Sequence, residues 1–255
     1  MNSKLKHYID LIIVLTHKEM KIRYKSSFLG YIWSVAHPLA FALVFYIAFK
    51  VIMRINMEDY TLFLIAGLFP WQWFSNSVNT SAGIFLANAS IIKKLNFPRN
   101  IVPLAMVLQD MIHFVFTIPV IIIFLFVYNK TPSLSWLYGI PILLSIQLLI
   151  VYGTSLMVSS LNLFFRDLER LVAILVTLLF YFTPIIYSET MIPEKFRYLI
   201  YLNPVAPLII SWRSVFLSGT LNLFFLIIST LYALSVFFLG YGIYKKLSWR
   251  FAEVL

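Results

Sequence analysis

Cysteine is absent from the sequence, which removes disulfides, thiol nucleophiles and cysteine-ligated metals together. Charge is scarce: Asp, Glu, Lys and Arg make up 12% of the 255 residues, about half the fraction of an ordinary soluble domain. Acidic residues are the rarer kind, 10 against 20 Lys and Arg, for a net charge of +10. No G-x-x-x-x-G-K-[ST] loop occurs, so ATP is not bound here in the Walker manner. The four histidines, His7, His17, His37 and His113, stand in neither HExxH nor HxxxH spacing, so the usual helical metal sites are missing. Nucleophile elbows and paired carboxylates within apolar segments are missing too. These gaps exclude a soluble enzyme and leave a membrane glycosyltransferase or acyltransferase without a catalytic constellation. No catalytic residue, metal or resident cofactor is expected in this chain.

What remains is apolar. Hydrophobic residues make up 61% of the chain and aromatic ones 18%, for a mean hydropathy of +0.89. Such a chain cannot cover a globule with wettable surface, and it is far too apolar to stay disordered. Its apolar residues fall in blocks of about twenty, the length that crosses roughly 30 Å of hydrocarbon. The sequence therefore predicts an all-α polytopic membrane protein, a single transmembrane domain over residues 1–255. In that setting the positive charge suits anionic headgroups and inner-face loops, not nucleic acid. The start of the chain is not read as a signal peptide: the apolar run 11–15 is short and no small-residue cleavage site follows.

The pattern predicts an amphipathic interfacial helix over residues 5–25. His7, Asp10, His17, Lys21 and Lys25 form one polar stripe, and Leu5, Tyr8, Ile9, Ile12, Ile13 and Met20 fill the other side. Six spans follow, at 33–53, 60–85, 104–128, 137–165, 171–187 and 222–244. Between the last two, residues 190–217 hold only a short uncharged piece, broken by Pro204 and Pro207. That fits two short re-entrant helices and not a seventh span. With six spans and both termini cytoplasmic, 14 of the 20 basic residues lie on the inner face, including Lys93, Lys94, Arg99, Arg166 and Lys245. A seventh span would put Lys245–Arg250 outside, against the positive-inside rule. Most of the tryptophans fall near span ends as an aromatic belt.

Only Asp110 and His113 are ionisable and well inside a predicted span, at i and i+3 on one helix face. Intramembrane charge is costly and marks a functional candidate by default. An ion-coupled lipid-sugar flippase that works through this pair, without an ATPase, is the alternative function.

Five segments, taken in order, carry a resemblance. HKEMKIRYKSSFLGYIWSVAHP (17–38), KKLNFPRNIVPL (93–104), NLFFRDLERL (162–171), FTPIIYSETMIP (182–193) and YLNPVAPLIISWRSVFLSG (201–219) resemble the type-2 ABC exporter permeases that move polysaccharides. They are most similar to the Wzm-type permeases of O-antigen, capsular polysaccharide and teichoic acid export. The resemblance implies a homodimer of this chain in the bacterial inner membrane, with two copies of a cytoplasmic ATPase that bind ATP and Mg. The cargo it implies is a polyprenyl-pyrophosphate-linked glycan that moves outward among membrane lipids.

The same resemblance distributes roles. Residues 88–100 become the coupling helix that docks in the ATPase. Asn88 or Ser90 is expected to cap it, Ile91, Ile92, Leu95 and Phe97 to form an apolar knob beside Lys93, Lys94 and Arg99, and Pro98 to end it. Arg166 and Asp167, with Glu169 and Arg170, are expected to pair internally and to add a second, smaller ATPase contact, or else to stand as a plain solvated charge cluster. Arg23, Tyr24, Lys25, Trp33 and His37 mark substrate access, where cations at headgroup depth attract a pyrophosphate. Tyr46, Phe180, Tyr181, Phe182 and Tyr187 are the expected channel lining, because the resembling family lines its channel with the first and fifth spans, and sugar C–H faces pack on aromatic rings. Asn203, Pro204 and Arg213 belong to the outer gate, Arg213 facing the exit or pairing with Glu189 or Glu194.

Overall fold

The computed structural model describes residues 3–23, 32–54, 57–95 and 97–254. Among these residues the structure is helical without strands. The helices are α1 (Ser3–Arg23), α2 (Trp33–Phe45), α3 (Tyr60–Ser81), α4 (Ile84–Ala87), α5 (Ala89–Lys94), α6 (Ile101–Val127), α7 (Trp136–Asn162), α8 (Leu168–Phe182), α9 (Leu199–Leu202), α10 (Ala206–Ser218), α11 (Leu223–Leu247) and α12 (Phe251–Val254). Beyond Phe45, α2 continues as a π-helical stretch, Tyr46–Ile52.

Helix α3 is the hub. It packs against α2, α6, α7, α8 and α10, with Leu62, Leu64, Ile65 and Phe69 in the core. A polar bridge ties it to two neighbours: Gln147 Nε2 on α7 donates to the Pro70 carbonyl at 2.7 Å, and Trp212 Nε1 on α10 donates to Gln147 Oε1 at 2.5 Å. A buried amide with both ends paired lowers the cost of placing a polar side chain in an apolar interior. On the far side, α7 and α11 approach most closely at glycine. A Cβ on Gly240 would stand 1.9 Å from the Gly153 carbonyl oxygen, so only glycine lets these two backbones meet there.

The helix ends differ from the sequence expectation in instructive ways. Helix α6 begins at Ile101 and not at 104, because Pro103 sits in the first turn, where its missing N–H has no intrahelical partner to lose. Span 171–187 is helical only to Phe182, and Thr183 is extended. Among the described residues, four helices are long and apolar enough to cross a membrane: Val35–Ile52, Ile101–Val127, Trp136–Asn162 and Leu223–Arg250. They become five if Glu194–Leu202 and Ala206–Ser218, bent by 100° at their junction, count as one. Helix α3 has 22 residues, about 33 Å, but Gln72, Ser75, Asn76 and Asn79 dilute its apolar character.

Helix α1 covers the expected interfacial segment with a different division of faces. Tyr8, Leu11, Ile12 and Leu15 pack on Ile101 and Ala105 of α6, whereas Leu5, Ile9 and Ile13 are exposed. The helix has one apolar strip for the protein and a second, beside it, free to meet lipid.

Candidate functional site

Helices α2, α3 and α8 enclose a groove of about 310 Å³. His37, Phe41 and Phe45 line it from α2, Trp71, Gln72, Ser75, Asn76 and Asn79 from α3, and Val176, Thr177, Phe180 and Tyr181 from α8. Two chemistries run side by side along it. The rings form a connected series: His37–Phe41 at 5.0 Å, Phe45–Phe180 at 5.6 Å, Trp71–Phe180 at 5.7 Å and Phe180–Tyr181 at 5.3 Å between centroids. Beside them, Gln72, Ser75, Asn76 and Asn79 recur at helical spacing on one face of α3. Rings offer faces to C–H surfaces, and amides both donate and accept hydrogen bonds without charge. The combination suits a ligand that presents both, without selecting one arrangement of hydroxyls.

Of the expected lining residues, Phe180 and Tyr181 reach this groove, and the access residue His37 joins them. Tyr46 instead packs against the core. Phe182 and Tyr187 line a separate apolar cavity of about 370 Å³ with Met191, Ile192, Pro193, Phe196, Leu199 and Ile200. The Tyr187 hydroxyl donates to the Tyr181 carbonyl at 3.0 Å, which ties that cavity to the end of α8. Trp33 is exposed at the start of α2. Arg23 is the last residue of α1, and Tyr24 and Lys25 lie outside the described residues. The α3 amide ladder was not among the expected site residues, although its spacing is plain inside segment 60–85.

Behind the groove, Gln72 and Asn76 also border a cavity of about 30 Å³ with Asp110, His113 and Thr117. Ser77 Oγ donates to Asp110 Oδ2 at 2.7 Å, and Gln109 Nε2 lies 3.3 Å from His113 Nε2. The carboxylate thus has a hydrogen-bond donor from α3 and a cavity large enough for about one water.

At the C-terminal end of α8 Asn203 is a junction. Its Nδ2 donates to Thr183 Oγ1 at 2.9 Å and to the Phe182 carbonyl at 3.3 Å, while its Oδ1 accepts from Val205 N and Ala206 N. It therefore joins the end of α8 to the start of α10 across the Pro204 turn, with the extended backbone expected before proline. Arg213 is buried, 3.6 Å over the Phe63 ring, and donates to the carbonyls of Phe63 and Ile185. It pairs with neither Glu189 nor Glu194; Glu194 pairs with Arg197. Carbonyl and ring contacts within the helical body hold its guanidinium.

Segment 88–100, expected to couple to an ATPase, holds a shorter helix than expected. Its helix, α5, has six residues and ends at Leu95, which is extended, so Pro98 is not the terminator. Asn88 stands before the helix but does not cap it: its Nδ2 donates to the Ile84 carbonyl, and its Oδ1 accepts from Lys18 Nζ on α1. Ser90, Lys93, Lys94, Leu95 and Pro98 are exposed, Ile91 and Arg99 half-buried, and Ile92 buried. Phe97 packs inward on the α1–α6 cluster. Of the four apolar knob residues, only Leu95 is fully exposed. Arg99 Nη1 donates to the Ser248 carbonyl at 2.7 Å.

Arg166 and Asp167 in the loop after α7, and Glu169 and Arg170 in the first turn of α8, are exposed, and no ion pair forms among them. Exposed pairs gain little in water. The loop is held by Asn162, which donates to the Ala82 carbonyl at 2.8 Å and accepts from Glu169 N at 3.1 Å.

The profile of ABC-2 type transporters matches residues 10–217, from α1 to the end of α10. The chain belongs to the ABC-2 type transporter family. Within that family it is 51% identical, over all of its length and 98% of the relative's, to an O-antigen export system permease protein RfbA of Klebsiella pneumoniae. It is 33% identical to the protein of the same name from Myxococcus xanthus, over 84% of this chain and 82% of the relative. A more distant relative, the polysialic acid transport protein KpsM of Escherichia coli, is 24% identical over 89% of this chain and 90% of its own. As an ABC-2 family member the chain is a multi-pass membrane permease subunit and not an enzyme. The family match includes the groove and the coupling segment.

Proposed function

We propose that this chain is the transmembrane subunit of an ATP-driven exporter that carries a polyprenyl-linked, O-antigen-like polysaccharide from the cytoplasmic to the outer face of the inner membrane. The observation that carries the proposal is the groove between α2, α3 and α8, with its ring series beside an amide ladder, in a chain half identical throughout to an O-antigen export permease. A glycan needs such a surface: its C–H faces slide over rings while its hydroxyls exchange hydrogen bonds with amides.

The working unit in this reading is a homodimer with two cytoplasmic ATPase subunits, which hold the ATP and Mg. Exposed apolar residues along α2 and α8, among them Phe41, Val44, Ile174, Leu178 and Tyr181, support a second copy closing the groove into a channel. Six spans, both termini cytoplasmic, fit the distribution of basic residues. Helix α3 and the short α8 are the two spans added to the four plainly apolar ones, and the bent pair α9–α10 is the re-entrant cap of the outer mouth. The exposed face of Ser90, Lys93, Lys94 and Leu95 docks the ATPase, and Arg166 and Asp167 add a smaller contact. Arg23 and Lys25 recruit the pyrophosphate at headgroup depth, with His37 at the inner end of the groove.

Deletion of the chain in its native cell tests this reading. Loss of surface polysaccharide with build-up of lipid-linked glycan at the inner face is the expected result. Unchanged surface polysaccharide contradicts it.

A further inference from the structure

Where the coupling segment meets α6, one asparagine joins four elements. Asn100 N donates to the Tyr244 hydroxyl of α11 at 3.0 Å. Its side-chain Nδ2 donates at 3.2 Å to both the Tyr8 hydroxyl of α1 and the Tyr152 hydroxyl of α7. Its carbonyl accepts from Tyr152 at 3.3 Å. The neighbouring Arg99 reaches the Ser248 carbonyl beyond α11.

This arrangement goes beyond the needs of the helix end. The first N–H groups of α6 lack intrahelical partners and require acceptors, but a water or a local side chain would suffice. Here the acceptors and donors are three phenol hydroxyls brought from helices 52, 92 and 144 residues away in sequence. Polar networks of this kind, here partly buried, fix one arrangement of the elements they join. The network stands at the C-terminal end of the 88–100 segment, six residues past Lys94, the last residue of α5, and ties that end to the bodies of α1, α7 and α11.

We propose that Asn100 is a positioning residue for transport: it locks the coupling segment to α1, α7 and α11, so that displacement of that segment moves these helices together. The proposal rests on the reading that residues 88–100 receive the ATPase. With the lock intact, a small movement of α5 is delivered to α7 and α11, whose glycine contact at Gly153 and Gly240 makes them one body. Without it, the segment moves and the spans do not follow.

The test uses the full complex with its ATPase in proteoliposomes and measures glycan transported per ATP hydrolysed. Tyr152→Phe with Tyr244→Phe removes two hydroxyls from the spans and leaves the docking surface untouched. Asn100→Leu removes the amide, and Asn100→Asp keeps an acceptor to which the phenols donate. The expected result is a fall of at least tenfold in transport per ATP for Asn100→Leu and for the double tyrosine variant, with Asn100→Asp within about threefold of the parent. Transport per ATP within twofold of the parent in the double tyrosine variant overturns the lock, and so does equal loss in Asn100→Asp and Asn100→Leu. Co-purification of the ATPase distinguishes the underlying reading: if Leu95→Asp leaves the complex and its coupling intact, the docking assignment fails, whatever the tyrosine variants do.

Discussion

Phe45 on α2 and Phe180 on α8 stack across the groove at 5.6 Å, 28° between ring planes, and Trp71 on α3 meets the same Phe180 at 5.7 Å. One ring thus holds three helices at the point where the aromatic and amide surfaces run side by side. The groove is a property of three helices and not of one lined span.

Tyr181 and Tyr187 separate by function in this arrangement. Tyr181 lines the groove and is 60% exposed, so Tyr181→Ala is expected to change thermal stability by less than about 0.5 kcal/mol while it slows export several-fold. Tyr187 anchors the outer cavity, so its Phe variant should leave export rate within about twofold of the parent. Thermal unfolding and a glycan-export assay on both variants check the pair.

Leu95 and Phe97, both drawn as docking residues from the sequence, should behave differently. Leu95 is exposed, and Leu95→Asp is expected to insert normally and lose ATPase coupling. Phe97 packs against the cluster of Leu15, Ile101 and Ala105, and Phe97→Asp places a charge in that cluster, a loss of about 3 kcal/mol. Expression level and ATPase co-purification, measured together, separate the two effects.

Gly240→Val tests the tightest helix contact. The added side chain meets the Gly153 carbonyl, and overpacking of a close crossing costs about 3 kcal/mol. A fall in melting temperature and in yield from membranes is expected, with no such fall for Gly242→Val, where a Cβ meets nothing within 4 Å.

Asp110 accepts a hydrogen bond from Ser77 in a cavity that holds about one water, a setting for holding α3 against α6. In an ATP-driven exporter, Asp110→Asn should keep export within about threefold and leave it insensitive to collapse of the proton gradient. Export that stops with the gradient would favour the ion-coupled alternative.

Much of the helical layout was legible because it rests on apolar periodicity: 33–53, 137–165 and 222–244 each correspond to a helix within a few residues. The proline positions were harder. The span read as starting at 104 starts at Ile101, with Pro103 inside α6, and Pro98 follows the end of α5 by several residues. Sequence shows that a proline disturbs a helix, but only the register shows whether an N–H was needed there. The site was legible in part because aromatic residues announce themselves, whereas amides do not. Phe180, Tyr181 and His37 were picked out, but the ladder from Gln72 to Asn79 was passed over as part of an uncharged span. The inward turn of Phe97 and the burial of Arg213 depend on which neighbour each side chain meets, and a single helix's pattern holds no record of that.

The most direct measurement is purification of the tagged chain from its native membrane in mild detergent, with an assay for co-purifying, vanadate-sensitive ATP hydrolysis. The account predicts a partner of ATPase size, equal in amount to this chain, that carries that activity. A chain that comes out alone and inactive, with in-membrane crosslinking also capturing no ATPase, would contradict it.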